Sequence, residues 1–146
     1  MMGLKKSVML SDETVSYIIA RHKDAEGEPR WSAAVNGAVD TLRSIYRANS
    51  PTLTERAWRL LLNAHAGHFF DWRPGAPMRL ASDVMDDLGV ISIESLSQED
   101  ADAVREIHGL SQIEQMTAFE VIRIFWATTN KSGDLMEMVE NCRRSL

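Results

Sequence analysis

Two segments near the N-terminus carry apolar residues at helical spacing. Val15, Ile18 and Ile19 recur at intervals of three and four residues, which is typical of one face of a helix. After a loop at residues 24–30, a second stripe has the same spacing: Val35, Ala38, Val39, Leu42, Ile45 and Tyr46. Each stripe follows a residue suited to cap a helix, namely Ser11 or Asp12 for the first and Ser32 for the second. The pattern predicts two amphipathic helices within the first fifty residues.

The six residues before these helices, Lys5–Leu10, alternate as a strand would. Its two faces would then differ, with Val8 and Leu10 on one and Lys5, Ser7 and Met9 on the other. A strand this short is unstable alone because its backbone groups are unpaired, and the forty residues that follow are predicted to be helical. Two copies of the chain would remove this deficit by pairing their strands antiparallel. We therefore expect a strand and two helices that dimerise through an intermolecular ribbon.

The rest of the chain predicts an all-helical second domain. Proline disfavours helix in the residue before it, so Asn49-Ser50-Pro51-Thr52 marks a boundary between domains at residues 1–50 and 51–146. Helical spacing and capping signals, including Gly89 as a C-terminal cap and the capping box of Ser111 and Glu114, predict five helices: about 54–69, 78–88, one after Ser97, about 112–129 and 134–144. Residues 90–93 fit a short strand or an extended connection. The expected fold class is mainly α, with one strand at the N-terminus.

Composition narrows the class of protein without naming a function. The chain is 45% apolar and 25% charged, and it has no apolar run near the ~18 residues of a membrane span and no secretory signal pattern. Its single cysteine, Cys142, excludes an intrachain disulfide, so a reducing cytoplasm without a membrane partner is expected. Residues 1–50 carry seven Lys and Arg against six Asp and Glu, whereas residues 51–146 carry nine against fifteen. The acidity therefore belongs to the C-terminal part, and the N-terminal part remains compatible with DNA.

Residues 4–47 resemble the ribbon–helix–helix family, which includes the Arc and methionine repressors. The resemblance rests on Val8-Met9-Leu10-Ser11-Asp12-Glu13 with the apolar residues Val15 and Ile18 after it, and on a second helix that opens at Ser32. This chain departs from the family pattern in three places. Lys6 stands where an apolar residue is usual, Gly37 lies inside a helix at a cost of about 1 kcal/mol relative to alanine, and the loop at residues 24–30 is longer and more acidic.

The resemblance implies a sequence-specific DNA-binding transcriptional regulator, expected to act as a repressor, whose ribbon enters the major groove. The base-reading residues would be Lys5, Ser7 and Met9. The backbone N–H groups of Trp31, Ser32 and Ala33 would hold a phosphate at the start of the second helix. The expected partners are double-stranded operator DNA and further copies of the chain, as a homodimer or a higher homo-oligomer. Residues 51–146 would serve oligomerisation, a protein partner or a ligand, and no cofactor or metal is expected.

Two alternatives remain open at the level of sequence. Residues 8–10 could pair with residues 90–93 of the same chain in a small α+β domain, which would cover the reading face. The chain would then be a protein-interaction module, such as an antitoxin-like protein or a phage-encoded inhibitor, that does not bind DNA. Gel-shift experiments on the protein's own upstream region would separate the two functions, because binding to DNA weakens steeply as salt rises.

Other residues with chemical potential favour structural roles. His65 and His68 lie three residues apart without a third metal ligand at a useful spacing, so a surface or packing role is the preferred interpretation. The aromatic residues Trp58, Phe69, Phe70 and Trp72 fit a core or a dimer contact better than a ligand pocket. Cys142 has no His and Asp arrangement around it, and no nucleotide-binding or hydrolase motif is present. We expect that the chain is not an enzyme.

Overall fold

The computed structural model describes residues 9–66, 77–128 and 133–146, and these ranges are helical. They contain seven α-helices and a 3₁₀ turn at Ile93–Ser95: α1 Asp12–Arg21, α2 Trp31–Ala48, α3 Glu55–Ala64, α4 Leu80–Leu88, α5 Gln98–His108, α6 Gln112–Ala127 and α7 Leu135–Arg144. The chain divides into two compact units, Met1–Arg43 and Ser44–Leu146. This division falls within α2.

The expected fold class, mainly α with an N-terminal ribbon–helix–helix strand, is wrong in its strand. The described part of the chain is all-helical and contains no strand. Residues 5–8 of the predicted strand lie outside the described residues. Met9 and Leu10 precede α1 without strand pairing, and Met9 is fully exposed. The β-type pairing recorded within the described ranges is one isolated bridge, between Lys23 and Pro29 in the loop before α2. A strand requires a neighbour for its backbone groups, and residues 9–10 find none among the described residues.

The alternative strand at residues 90–93 is also wrong. The Ser92 side chain accepts a hydrogen bond from the backbone N–H of Glu94 and caps the 3₁₀ turn that begins at Ile93. Ile91, in the middle of the predicted strand, is fully exposed. The hydrogen bond between the Ser92 side chain and the nearby backbone favours a turn over an extended strand. Among the described residues, no neighbouring strand is present to stabilise the extended conformation.

The N-terminal unit joins α1 to α2 through an ordered loop. The Oγ of Ser11 caps α1 by accepting from the backbone N–H of Thr14, as the sequence predicts. In the loop, Oδ1 of Asp24 accepts hydrogen bonds from the N–H groups of Glu26 and Glu28, at 3.0 and 2.9 Å. Gly27 between them has φ of 84°, a left-handed value that glycine adopts without strain. The loop therefore reverses the chain through its own polar contacts.

The C-terminal unit contains a continuous apolar core. Its least accessible side chains come from all five helices α3 to α7: Trp58, Leu61, Leu80, Val84, Ile107, Val121, Ile122 and Val139. The Trp126 indole N–H donates to the carbonyl oxygen of Leu62 at 3.1 Å, which connects α6 to α3. The expectation that Trp58 serves the core is confirmed, whereas Phe69, Phe70 and Trp72 lie outside the described residues.

Polar contacts fix α3 against α5. Both carboxylate oxygens of Glu106 accept from Thr54, one from its backbone N–H at 2.7 Å and one from its hydroxyl at 2.8 Å. Nε of Arg56 donates to Oδ1 of Asp100, whose side chain is 16% exposed. The Arg56 guanidinium lowers the pKa of Asp100, mainly through this hydrogen bond. The start of α3 is therefore held by two acidic residues of α5.

Two glutamine side chains fix the start of α4 against α6. Oε1 of Gln112 accepts from the N–H of Met78 at 2.8 Å, and its Nε2 donates to the carbonyl oxygen of the same residue at 3.1 Å. Oε1 of Gln115 accepts from the N–H of Leu80 at 3.2 Å, while its Nε2 donates to the carbonyl oxygen of Leu110. Arg79, which precedes α4, makes no side-chain cap. The two amides therefore supply partners that a capping residue would otherwise provide.

Most helices of this unit begin and end where the sequence predicts. Ser97 caps α5, Ser111 and Glu114 form the predicted capping box at α6, and Gly89 ends α4 with φ of 70°. The first helix of the unit differs at its end: Thr54 caps its start near the predicted position, but the helix ends at Ala64 rather than near residue 69. Similarly, α2 begins at Trp31, one residue before the predicted cap Ser32.

Candidate protein-interaction surface

The residues predicted to contact DNA fall into three groups. Lys5 and Ser7 lie outside the described residues, so their role stays a prediction. Met9 is fully exposed in the segment before α1 and belongs to no strand. Trp31, Ser32 and Ala33 form the first turn of α2 and are exposed, as a helix start that binds phosphate would require. The phosphate-binding role of this turn also stays a prediction.

A stripe of exposed apolar residues runs along α2. We call it the α2 apolar face and define it by Trp31, Val35, Ala38, Val39, Leu42 and Ile45. Its five large side chains have exposed fractions of 40%, 38%, 50%, 44% and 39% in chain order. A helix repeats every 3.6 residues, so these positions share one side of α2. The sequence predicts the stripe correctly as a helical face, and the structure adds that its large residues are exposed.

The polar side of α2 is well separated from this face. Its charged residues, Asp40, Arg43 and Arg47, all lie away from the stripe on the helical projection. Asn36 and Ala33 are exposed on the same polar side. An amphipathic helix usually turns its apolar side toward a core, whereas α2 buries Ala34 at the edge of the stripe and exposes the centre. This arrangement is suited to binding another apolar surface.

The N-terminal unit buries little of its own apolar surface. Among the described residues 9–43, the buried side chains are Ile18 of α1 and Ala34 of α2. Tyr17 and Ile19 of α1 are 53% and 42% exposed, and the Arg21 guanidinium lies over the Tyr17 ring, 4.6 Å from its centroid. Two helices with so few buried residues gain little stability from their own core.

His65 connects α3 to α4 and packs in the core. Its ring is 6% exposed, with Nδ1 at 2.8 Å from the carbonyl oxygen of Leu61 and Nε2 at 3.1 Å from Oδ2 of Asp83. The ring also meets the Phe119 ring edge-on, with centroids 5.7 Å apart. The packing interpretation of His65 is confirmed, while His68 lies outside the described residues.

The cysteine and the acidic residues suggest no reactive centre. Cys142 is buried beside a recess of about 230 Å³ between α6 and α7. Burial raises the pKa of its thiol, which disfavours the thiolate needed for nucleophilic attack. Among the described residues, no group of three or more His, Cys, Asp and Glu side chains is placed to hold a metal ion. The α2 apolar face is therefore the feature of the described chain best suited to a function.

Comparison with protein-family models, curated proteins and solved structures found no match. The resemblance to the ribbon–helix–helix family is accordingly untested by these comparisons. In the described part of the chain, each helix is too short or too polar to cross a membrane.

Proposed function

We propose that this chain is a protein-interaction module whose docking surface is the α2 apolar face. The observation that carries the proposal is the exposure of five large apolar side chains on one side of a single helix. A fully exposed aliphatic residue presents roughly 150–200 Å² and tryptophan about 250 Å², so these exposed fractions leave about 400 Å² on the five residues. Contiguous apolar patches of this size on soluble proteins are often functional.

The chemistry of the face favours a protein partner. Within α2 the stripe contains no charged residue, so it offers no ion pair to a phosphate or another charged ligand. Residues 1–43 carry six Lys and Arg and six Asp and Glu, which gives no basic excess to attract nucleic acid. DNA binding through Lys5, Ser7 and the start of α2 stays a prediction, as does the absence of enzymatic activity.

The test compares two substitutions on opposite sides of α2. Leu42→Glu places a charge in the centre of the face, and Asn36→Glu places the same charge on the exposed polar side. Binding of an environment-sensitive apolar dye is measured on the full chain, together with its mass by sedimentation at the same concentrations. We expect the parent chain and Asn36→Glu to bind dye where they are monomeric, and Leu42→Glu to lose most of that signal.

The combined readout distinguishes a covered face from an occupied one. A parent chain that is monomeric and binds no dye has its α2 apolar face covered, which would refute the proposal. A parent chain that excludes dye while it is oligomeric supports it, provided that Leu42→Glu changes the mass and Asn36→Glu does not. Equal dye binding by both variants would place the apolar surface elsewhere on the molecule.

A further inference from the structure

We infer that the α2 apolar face binds a second copy of this chain, so that α2 pairs with α2 in a homodimer. This inference rests on the proposed function and adds the identity of the partner. It differs from the ribbon dimer expected from the sequence, because the contact is made by helices. Four observations support it: the spacing of the stripe, the absence of charge around it, its area, and the small core of the N-terminal unit.

The spacing of the stripe fits a pair of helices. Trp31, Val35, Ala38, Leu42 and Ile45 follow one another at alternating intervals of four and three residues. This alternation is the seam of two helices that pack side chains into each other's grooves. It continues for two full heptads, from the first turn of α2 to its last.

The positions that flank the seam carry no charge. On one side they are Ser32, Val39 and Tyr46, and on the other Ala34, Thr41 and Ala48. Self-pairing places these two rows beside each other, so like charges in both rows would repel and weaken the contact. An uncharged seam avoids this repulsion. It would also give no electrostatic specificity to an acidic or basic partner, which favours a second copy over such a partner.

The area of the face is sufficient for a stable pair. The five large residues of each copy expose about 400 Å², so two copies bury at most about 800 Å² of apolar surface. Apolar atoms form about 65% of a homodimer interface, which implies a total of about 1,230 Å² with the polar rim. Specific interfaces bury about 1,200–2,000 Å² in total. The α2 apolar face and its polar rim together therefore reach the lower end of this range.

The small core of the N-terminal unit gives an independent reason for self-association. Ile18 and Ala34 are the buried side chains among described residues 9–43. The fraction of surface that folding buries falls with size, so a unit of 43 residues gains little stability from its own core. The cysteine of this chain is at position 142, and the described residues contain no metal cluster. A second copy of the chain would provide the N-terminal unit with additional apolar contact, and it needs no other partner.

Ala38 marks the point of closest approach. It is the smallest side chain of the seam and lies seven residues from both Trp31 and Ile45. A parallel pair in register brings Ala38 next to its copy. The distance between paired helix axes, about 8–10 Å, is shortest where the contacting side chains are small. We infer the parallel orientation, and a disulfide between two copies at this position is therefore expected.

The experiment introduces one cysteine on each side of α2 in the full chain. Ala38→Cys lies in the seam, and the matched control Ala33→Cys lies on the opposite, exposed side. The parent chain measures the background from the buried Cys142. After mild oxidation, we expect most of Ala38→Cys to form a covalent dimer on a non-reducing gel, at several times the yield of Ala33→Cys. Sedimentation of the parent chain measures the dissociation constant.

Substitution in the seam gives the second measurement. Leu42→Glu removes two buried leucines from each dimer, so its dissociation constant should rise at least about a hundredfold. Asn36→Glu should change it by no more than about threefold, since isolated surface substitutions usually alter free energies by about 0.5 kcal/mol or less. Circular dichroism checks that both variants remain helical. Leu42 is already exposed in the single chain, so its replacement should not unfold it.

Failure of this inference can be distinguished from failure of the proposed function. A parent chain that stays monomeric while its face binds dye would overturn the homodimer and leave the docking surface intact. A dimer that cross-links equally through Ala38→Cys and Ala33→Cys, or that tolerates Leu42→Glu, would be formed by another surface and would also overturn the inference. A monomer without dye binding would refute both.

Discussion

Replacing Gly37 with alanine should stabilise α2. The residue lies inside the helix on its polar side, and a Cβ added there would meet no atom within 4 Å. Alanine exceeds glycine in helix propensity by about 1 kcal/mol, because glycine loses more backbone freedom on folding. With no steric cost to offset this gain, the free energy of local opening should rise by up to about 1 kcal/mol. The close packing that would justify glycine at this position is absent among the described residues.

Hydrogen exchange measured by mass spectrometry reports this change directly. A gain of about 1 kcal/mol slows exchange of the α2 amides about fivefold where opening is in rapid equilibrium. Gly89→Ala is the matched control, because its φ of 70° is left-handed and the same substitution there should lower stability by about 1–2 kcal/mol. Faster exchange in Gly37→Ala would refute the reasoning. It would mean that the polar side of α2 is a packed surface and that the seam is misplaced.

Three further outcomes are expected. Asp100→Asn should lower the free energy of unfolding, measured by urea titration, by about 1 kcal/mol near neutral pH. The difference between the two proteins should shrink as pH falls. Arg56 lowers the pKa of the carboxyl in the folded state, and the stabilisation is lost when that carboxyl is protonated. A constant difference down to strongly acidic pH would contradict this. Ile107→Ala, at a fully buried position, should cost about 2–5 kcal/mol in urea unfolding, and a cost below about 1 kcal/mol would contradict its placement in the core. If Lys5 and Ser7 read bases, replacing both with alanine should abolish a salt-sensitive gel shift on the protein's upstream DNA, and an unchanged shift would reject that role.

Helix boundaries were the most predictable part of this fold, because capping is a local interaction. Ser11, Ser97 and Ser111 each accept a hydrogen bond from an N–H group three residues later. The pattern therefore needs no information about the rest of the chain. The start of α2 was less predictable: the helix begins at Trp31, before the candidate cap Ser32.

The strands were mispredicted because pairing is not local. The alternation at residues 5–10 involves few side chains, and a strand also requires a neighbour whose position the sequence does not reveal. The apolar run at residues 90–93 predicted a short strand, but the Ser92 side chain caps a 3₁₀ turn there. Short apolar runs of this kind are consistent with several backbone conformations.

The sequence predicts which residues form the α2 apolar face but does not predict that they are exposed. Periodicity identified the apolar positions of α2, since that property depends on the spacing of residues within one helix. Their exposure depends on how much apolar surface the neighbouring elements offer, which is a tertiary property. One signal was available: α1 carries few apolar residues compared with the stripe that α2 presents. The contact between His65 and Asp83, which lie eighteen residues apart in sequence, could not be predicted from any pattern in the sequence.

The glutamine contacts at the start of α4 bear on how this chain tolerates length changes. Gln112 holds Met78 by both of its backbone groups, and Gln115 holds the N–H of Leu80. These hydrogen bonds fix the position of the start of α4 along α6. An insertion or deletion between Met78 and Leu80 would therefore put one of the two contacts out of register. The two amides fix the length of the chain between these two residues.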